Sequence, residues 1–216
     1  MEAAVKPRRR YHSPQRQQQA QATRRQIVDA AGHLFGQHGY FGTTIGAIAQ
    51  AAGVAEPTVY AAFGSKRAIL AALIDLAIFG PDPPRTPVEQ RTWYPEISAM
   101  ADPARLLRRW AEILCAVNGR VAPVQRVVQS AAASDPQIAQ LWQRMKDQRL
   151  VGQSAIALLL AERHALRPGL SPSQAADVLF VLSDAHVYDA YVLDRGWPPV
   201  RVAQWLGDAL CALLLP

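Results

Sequence analysis

Residues 43–66 of this chain, TTIGAIAQAAGVAEPTVYAAFGSK, decide its fold because they predict two short helices joined by a tight turn. The apolar residues of the first helix recur at the spacing of one buried face: Ile45, Ile48, Ala49 and Ala52. Gly53 can adopt the positive φ at which that helix stops, and Pro57 is tolerated in the first turn of the next helix. Such a pair places its second helix in the DNA major groove, although it also occurs in ordinary bundles.

The flanking segments favour the DNA-binding interpretation because each predicts a further amphipathic helix. The upstream helix ends at Gly39 and has this apolar stripe: Ile27, Ala30, Ala31, Leu34 and Phe35. The downstream helix spans 65–79, begins at the capping residue Ser65 and ends before Gly80. Its apolar stripe consists of Ile69, Leu70, Leu73, Ile74, Ala77 and Ile78.

The order of these elements, with TTIGAIAQAAGV, EPTVYAAF and GSK between two helices, resembles the DNA-binding domain of the TetR family of transcriptional regulators. The resemblance covers about residues 22–79, whereas the rest of the chain is similar only in size and helical character. It implies an all-α protein of nine or ten helices. A three-helix helix-turn-helix domain would then precede a C-terminal helical bundle for dimerisation and ligand binding. It also implies a regulator that binds a palindromic double-stranded DNA operator.

The resemblance assigns the expected DNA contacts. Base edges would be read near the start of the second short helix, by Ala55, Glu56, Pro57, Thr58 and Ala61. Phosphates would be bound by Thr43, Thr44, Tyr60 and Lys66. Lys66 adds its charge to a helix N-terminus that favours anions. Glu56 can instead stabilise the dipole of its own helix. The chain departs from the family at Ala55, where a capping Ser or Thr is usual, and at Ala62, where His or Asn often contacts phosphate.

Positive charge is concentrated at the N-terminus. The cationic side chains of residues 1–25 are Lys6, Arg8, Arg9, Arg10, Arg16, Arg24 and Arg25, and their sole acid is Glu2. Their excess equals the formal net charge of +6 of the whole chain. Residues 1–20 are also rich in Gln and poor in apolar residues, so we expect a disordered basic arm. Such an arm can follow phosphates or enter a minor groove, or it can be a solubilising tail.

Composition predicts a soluble protein with a large core. Half of the 216 residues are hydrophobic, yet apolar runs such as 155–161 are too short to span a bilayer. We therefore expect a cytoplasmic protein without a membrane partner. Cys115 and Cys211 lie in different predicted helices without metal-ligand spacing. They are expected to be reduced, buried thiols, with redox sensing by Cys115 as the alternative.

The remaining sequence predicts further helices, which divide the chain into a basic arm (1–20), a DNA-binding domain (21–79) and a ligand-binding and dimerisation domain (80–216). A Pro-rich connection over 80–102 should contain a helical turn or two. Predicted helices follow over 103–122, from Pro123 through 132, from Pro136 to about 163, from 172 to about 195, and from Pro199 onwards.

The helix near 173–194 is apolar on two faces, which predicts burial on both. With the last helix, it suits the four-helix dimer interface of the TetR family, and a monomeric core helix is the alternative. The candidate effector-binding residues are Trp110, Leu114, Trp142, Met145, Phe180, Asp184 and Tyr188. Arg105 and His186 are further possible polar anchors beside Asp184. Each of these side chains could equally belong to an ordinary core.

The chain contains no HExxH, GxSxG, GxxxxGK[ST] or dinucleotide fingerprint, so we expect no enzyme, catalytic residue, cofactor or metal site. Two hypotheses remain. The first is a homodimeric regulator, a repressor, that releases its operator on binding a small-molecule effector. The second is a constitutive architectural DNA-binding dimer without an effector. A pocket of several hundred Å³ in the C-terminal domain would favour the first.

Overall fold

The computed structural model describes residues 14–80 and 86–216, and this part of the chain is helical throughout, without a strand. Its helices are α1 (Pro14–Gly42), α2 (Ile45–Ala51), α3 (Glu56–Phe63), α4 (Lys66–Phe79), α5 (Tyr94–Ala99), α6 (Pro103–Ala132), α7 (Pro136–Glu162), α8 (Pro172–Leu182), α9 (Ala185–Asp189) and α10 (Pro199–Leu214). A 3₁₀ turn, Val88–Gln90, precedes α5, and a π-helical turn, Ala190–Asp194, follows α9. The predicted all-α fold of nine or ten helices is confirmed. No helix of the described residues is long and apolar enough to cross a membrane.

Side-chain caps start most of these helices where the sequence predicts them. Ser65 accepts a hydrogen bond from Ala68 N (3.2 Å) at the start of α4, and Asp102 accepts one from Ala104 N (2.9 Å) at the start of α6. Ser171 and Gln174 form a reciprocal capping box at the start of α8. Each cap satisfies a backbone N–H that has no partner within its helix, and it thereby sets where the helix begins.

The buried side chains form two hydrophobic cores. The first joins α1–α4 to the second half of α6 and the first half of α7, through residues such as Phe35, Ile69 and Val128. The second joins the first half of α6 to the end of α7, α8 and α10, through residues such as Leu106 and Leu210. Helix α10 approaches α6 closely, because a Cβ at Gly207 would lie 3.0 Å from Arg108 Cα. Helices α6 and α7 contribute to both cores and therefore connect α1–α4 to the rest of the molecule.

The predicted break at Pro123 is wrong, because α6 continues through it to Ala132. An interior proline removes one backbone hydrogen bond and costs about 3 kcal/mol. Val121, Ala122, Val124 and Val128, on both sides of the proline, are all buried in the first core. Continuous packing against α1 and α4 outweighs the local cost.

Two further expectations are corrected. The helix predicted over 172–195 is interrupted at Ser183 and Asp184, where Asp184 caps α9 by accepting from His186 N (2.8 Å). Residues 14–20, expected to be disordered, form the first turns of α1 because Gln, Ala and Arg are good helix formers and extend the helix that follows. The remainder of the basic arm, 1–13, lies outside the described residues.

Candidate DNA interface and effector cavity

Helices α2 and α3 form the helix-turn-helix pair. Thr44 starts α2 by accepting a hydrogen bond from Ala47 N (3.1 Å), and Gly53 adopts a φ of 67° in the turn. Ile48, Ala49 and Val59 are buried against α1 and α4. The opposite face of α3 is thereby held outward on a rigid base.

Seven of the nine predicted DNA-contact residues are exposed on α3 or at the start of α2: Thr44, Ala55, Glu56, Pro57, Thr58, Tyr60 and Ala61. Ala55 occupies the N-cap position of α3 without a capping hydrogen bond. The carboxylate of Glu56 lies against the first turn of α2, since a Cβ at Gly46 would be 2.6 Å from Glu56 Oε1. This position near a helix N-terminus fits a stabilising role for the carboxylate beside any role in base reading.

Thr43 and Lys66 point inward instead of toward a phosphate. The Thr43 side chain is 1% exposed, and its hydroxyl donates to Gly39 O (2.8 Å). Lys66 Nζ donates to Tyr40 O (2.7 Å) and Thr43 O (2.6 Å), and it lies 4.4 Å from the centre of the Tyr40 ring. Burial lowers the pKa of the Lys66 ammonium. These two side chains tie α4 to the end of α1, and the phosphate contacts expected of them remain predictions.

Replacing Lys66 by Met should therefore lower the free energy of unfolding by about 1–3 kcal/mol, because the carbonyls of Tyr40 and Thr43 lose charge-assisted hydrogen bonds. Urea denaturation measures this change, and the salt dependence of DNA binding should stay the same. The matched control is Arg67→Met, which removes a neighbouring cation that makes neither bond. Unchanged stability together with a salt slope reduced by about one unit would restore Lys66 as a phosphate contact.

Arg24 of α1 positions the recognition helix and was missed from the sequence. Its guanidinium donates to Ala62 O near the end of α3, and its Cζ lies 4.1 Å from the centre of the Phe63 ring. A cation at a helix C-terminus also interacts favourably with the helix dipole. The sequence indicates only that Arg24 contributes to the positive charge of the N-terminus, since nothing local links it to α3.

A cavity of about 80 Å³, partly open to solvent, lies between α6, α7 and the end of α4. Four of the candidate effector residues line it: Trp110, Leu114, Trp142 and Met145. Polar side chains join them, including Gln153, which accepts a hydrogen bond from Trp110 Nε1 (3.0 Å), and Asn118, which donates to Ser183 O (3.1 Å). An apolar wall with a few fixed polar groups is typical of a small-molecule site.

A polar cluster closes the cavity at the break between α8 and α9. Asp184 accepts from Gln125 Nε2 (2.9 Å) and forms an ion pair with Arg149. Burial by itself would raise the pKa of Asp184. The hydrogen bonds from His186 N, Gln125 and Arg149 outweigh that effect and hold its pKa below the ordinary value. Asp184 is thus an ionised carboxylate with a hydrogen-bond partner on each oxygen.

Within the described chain, three candidate effector residues lie off the cavity lining: Phe180, Asp184 and Tyr188. Phe180 lies beneath Arg149, Asp184 lies behind it, and Tyr188 packs beside Gly119. Arg105 and His186 are exposed and do not line the cavity. The break between α8 and α9 changes which side of the chain faces inward compared with one continuous helix.

Arg149 and Gln125 are cavity residues that sequence reasoning missed. Arg149 falls on the buried stripe of α7 between Met145 and Gly152, at helical spacing. A charged residue on an apolar stripe is the signal that could have identified it. Gln125 occupies the equivalent kind of position on α6, where it is buried.

The cysteines are separate from both sites. Burial raises the pKa of the Cys115 thiol to about 11, and burial also raises the pKa of Cys211. Both are free thiols, and at neutral pH they are protonated. This state disfavours the redox-sensing alternative, since the thiolate is the reactive form.

Comparison with known proteins gives one sequence match. Residues 27–73 match the family model described as bacterial regulatory proteins of the tetR family. That range includes the second half of α1, the helix-turn-helix and half of α4. No curated protein matches the chain significantly.

Solved structures share the fold over most of the chain. One, described as a TetR-family transcriptional regulator from Mesorhizobium loti, is 22% identical with a TM-score of 0.69 and covers 91% of this chain and 98% of its own. The regulator FadR from Bacillus subtilis, in complex with stearoyl-CoA, is 22% identical with a TM-score of 0.69, covering 86% and 96%. NalD from Pseudomonas aeruginosa, the secondary repressor of the MexAB-OprM efflux pump, is 21% identical with a TM-score of 0.66, covering 91% and 98%. The tetR family model thus matches the helix-turn-helix and its flanking helices, and the solved structures share the fold of this protein over nearly the whole chain.

Proposed function

We propose that this protein is a ligand-responsive transcriptional repressor that binds a palindromic operator as a homodimer and releases it when a small effector occupies the cavity. The observation that carries the proposal is the continuity of the first core. Met145 and Ala185, which line the cavity, belong to the same buried cluster as Ile48 and Val59 of the helix-turn-helix. A ligand that changes the packing at the cavity therefore acts on the base that holds the recognition helix.

The cavity favours this function over a constitutive architectural protein. A bundle that only dimerises needs no internal cavity, whereas this cavity has an apolar wall with a few fixed polar groups, as ligand pockets do. Its volume of about 80 Å³ is smaller than the several hundred Å³ expected for a ligand pocket, so the lining and not the volume supports the proposal. Two proteins of similar fold also support a ligand-responsive repressor, since one is described in complex with stearoyl-CoA and another as a repressor. The exposed residues of α3 remain the proposed base readers, with Tyr60 and Thr44 as proposed phosphate contacts.

Helix α4 is the proposed link between the two sites. Its last turn contributes Ile78 to the cavity, and its carbonyl at Ala77 accepts from Arg120 Nε of α6 (3.3 Å). An open groove of about 160 Å³ lies between part of α4 and α7. Helix α4 can therefore tilt toward α7 without overpacking. A tilt would change the separation of two recognition helices, which must be about 34–36 Å to read successive major grooves.

We place the dimer interface on α8 and α10. A single short recognition helix gives too little affinity by itself, so a two-fold dimer is expected. Large apolar side chains are exposed on these helices, including Val181 (62% exposed) and Leu213. A second apolar surface lies on α7, around Leu158 (52% exposed), and it competes for this role.

The two surfaces can be separated by one pair of variants. Val181→Glu should turn the dimer into a monomer, because two copies of a buried carboxylate would face the interface. Leu158→Glu introduces the same charge on α7 and should leave the dimer intact. Analytical ultracentrifugation at micromolar concentration measures both. A monomer produced only by Leu158→Glu would move the interface to α7, and a monomeric wild type would refute the dimer.

The function itself is tested by selecting genomic DNA fragments with the purified protein and then screening compounds that release them. We expect enrichment of a palindromic site and at least one compound class that lowers its affinity. Failure to enrich any site would contradict the proposed binding to a specific operator. Enrichment without release by any compound that binds the cavity would favour the architectural alternative.

A further inference from the structure

We propose that the cavity takes an amphipathic organic anion, whose carboxylate or similar group binds Arg149 in competition with Asp184. This inference rests on the proposed function in treating the cavity as an effector site. It adds the chemical class of the ligand and the contact that detects its charge.

The charges around the cavity favour an anion. Arg91, Lys146 and Arg149 line it, and the lining residues that the structure describes include no acid. The facing wall is apolar and aromatic, with Trp93, Trp110, Leu114, Val117 and Trp142. A ligand with an apolar body and one negative group would match both surfaces, whereas a neutral ligand would displace water from the cations without compensation.

Arg149 is arranged to accept such a group. Its Nη1 donates to Asp184, and its Cζ lies 4.0 Å from the centre of the Phe180 ring, which holds the guanidinium plane. Its Nε is buried and has no hydrogen-bond partner within the described chain. Nε and Nη2 form the edge of a guanidinium that binds a carboxylate through two parallel hydrogen bonds. Arg149 therefore holds an unused donor beside the cavity.

Binding at this edge disturbs Asp184. Because Nε is covered in this conformation, an entering anion reaches it only when the guanidinium turns, and that movement weakens the bond from Nη1 to Asp184. Asp184 keeps its bonds from Gln125 and His186 N, so it stays ionised and competes for Arg149. The competition takes place at the break between α8 and α9, next to Ala185 of the first core. The negative charge of the ligand would therefore act at the break between α8 and α9, which adjoins the first core.

The test uses two fluorescent probes with the same ring system. Anilinonaphthalene sulfonate is an anion, and N-phenylnaphthylamine is its uncharged counterpart. Replacing Arg149 by Met should weaken binding of the anion about tenfold or more and change binding of the neutral dye by about twofold or less. Asp184→Asn should strengthen binding of the anion, because its competitor loses its charge. Arg144→Met is the matched control, since Arg144 lies on the same helix outside this cavity and should change neither affinity.

The variants at Arg149 and Asp184 should change the affinity for the anion in opposite directions. Damage to the fold would instead weaken binding of both probes in both variants. Decanoate should also displace the anionic dye better than decanol. Equal responses of the two dyes to every variant, or no binding of the anion to the wild type, would overturn the proposal. Operator binding by the wild type is measured in parallel. If the protein binds an operator but the two dyes respond alike, the proposed ligand class is wrong and the proposed function stands. If the dyes respond as expected but no operator is bound, the proposed function is wrong.

Discussion

Replacing Thr58 by Glu should lower operator affinity by about a hundredfold, which corresponds to about 2.7 kcal/mol. Thr58 is exposed on α3 among the proposed base readers, so the new carboxylate would face DNA phosphates and lose hydration without a partner. The fold should be unaffected, because no core residue is changed. Fluorescence anisotropy with a labelled operator measures the affinity, and circular dichroism checks the helix content.

Gln140→Glu is the matched control for Thr58→Glu. It introduces the same charge at an exposed position on α7, outside α3 and beside the start of α4, and should change operator affinity by about twofold or less through long-range repulsion. Equal losses in the two variants would mean that net charge, and not contact by α3, governs binding. If Thr58→Glu leaves operator affinity unchanged, α3 does not form part of the DNA interface.

Filling the cavity with Leu114→Trp should weaken effector binding by about a hundredfold and leave operator binding without effector near the wild-type value. Leu114 is nearly buried in the cavity wall, so the larger ring occupies space that the ligand requires. Overpacking should cost about 1–3 kcal/mol of stability, which urea denaturation will measure. Calorimetric titration with an effector found by the release screen measures the affinity.

Leu159→Trp provides the control for strain, since it inserts the same ring into the second core away from this cavity. It should lose similar stability and retain effector binding. If Leu114→Trp keeps full effector response, the effector binds elsewhere. If both variants lose response equally, strain rather than occupancy explains the result.

The helix-turn-helix could be predicted from the sequence because its determinants are local. Thr44 and Ser65 cap the helices that they precede, Gly53 turns the chain, and Pro57 starts α3, all within one short contiguous stretch. Capping, turn geometry and apolar spacing depend on neighbours a few residues apart. The same reasoning failed at Pro123, where contacts distant in sequence outweigh the local preference.

The tertiary structure alone decided the direction of side chains and the position of the cavity. Lys66 has the sequence context of a phosphate contact, yet its ammonium binds carbonyls of Tyr40 and Thr43, more than twenty residues earlier. Arg149 meets Asp184 across 35 residues. By itself, the sequence determined the helix-turn-helix and the exposed face of α3 that is proposed to meet DNA. Which polar groups serve the fold and which remain for a ligand depends on partners that only the packing of distant helices brings together, because a hydrogen bond is set by proximity in space and not along the chain.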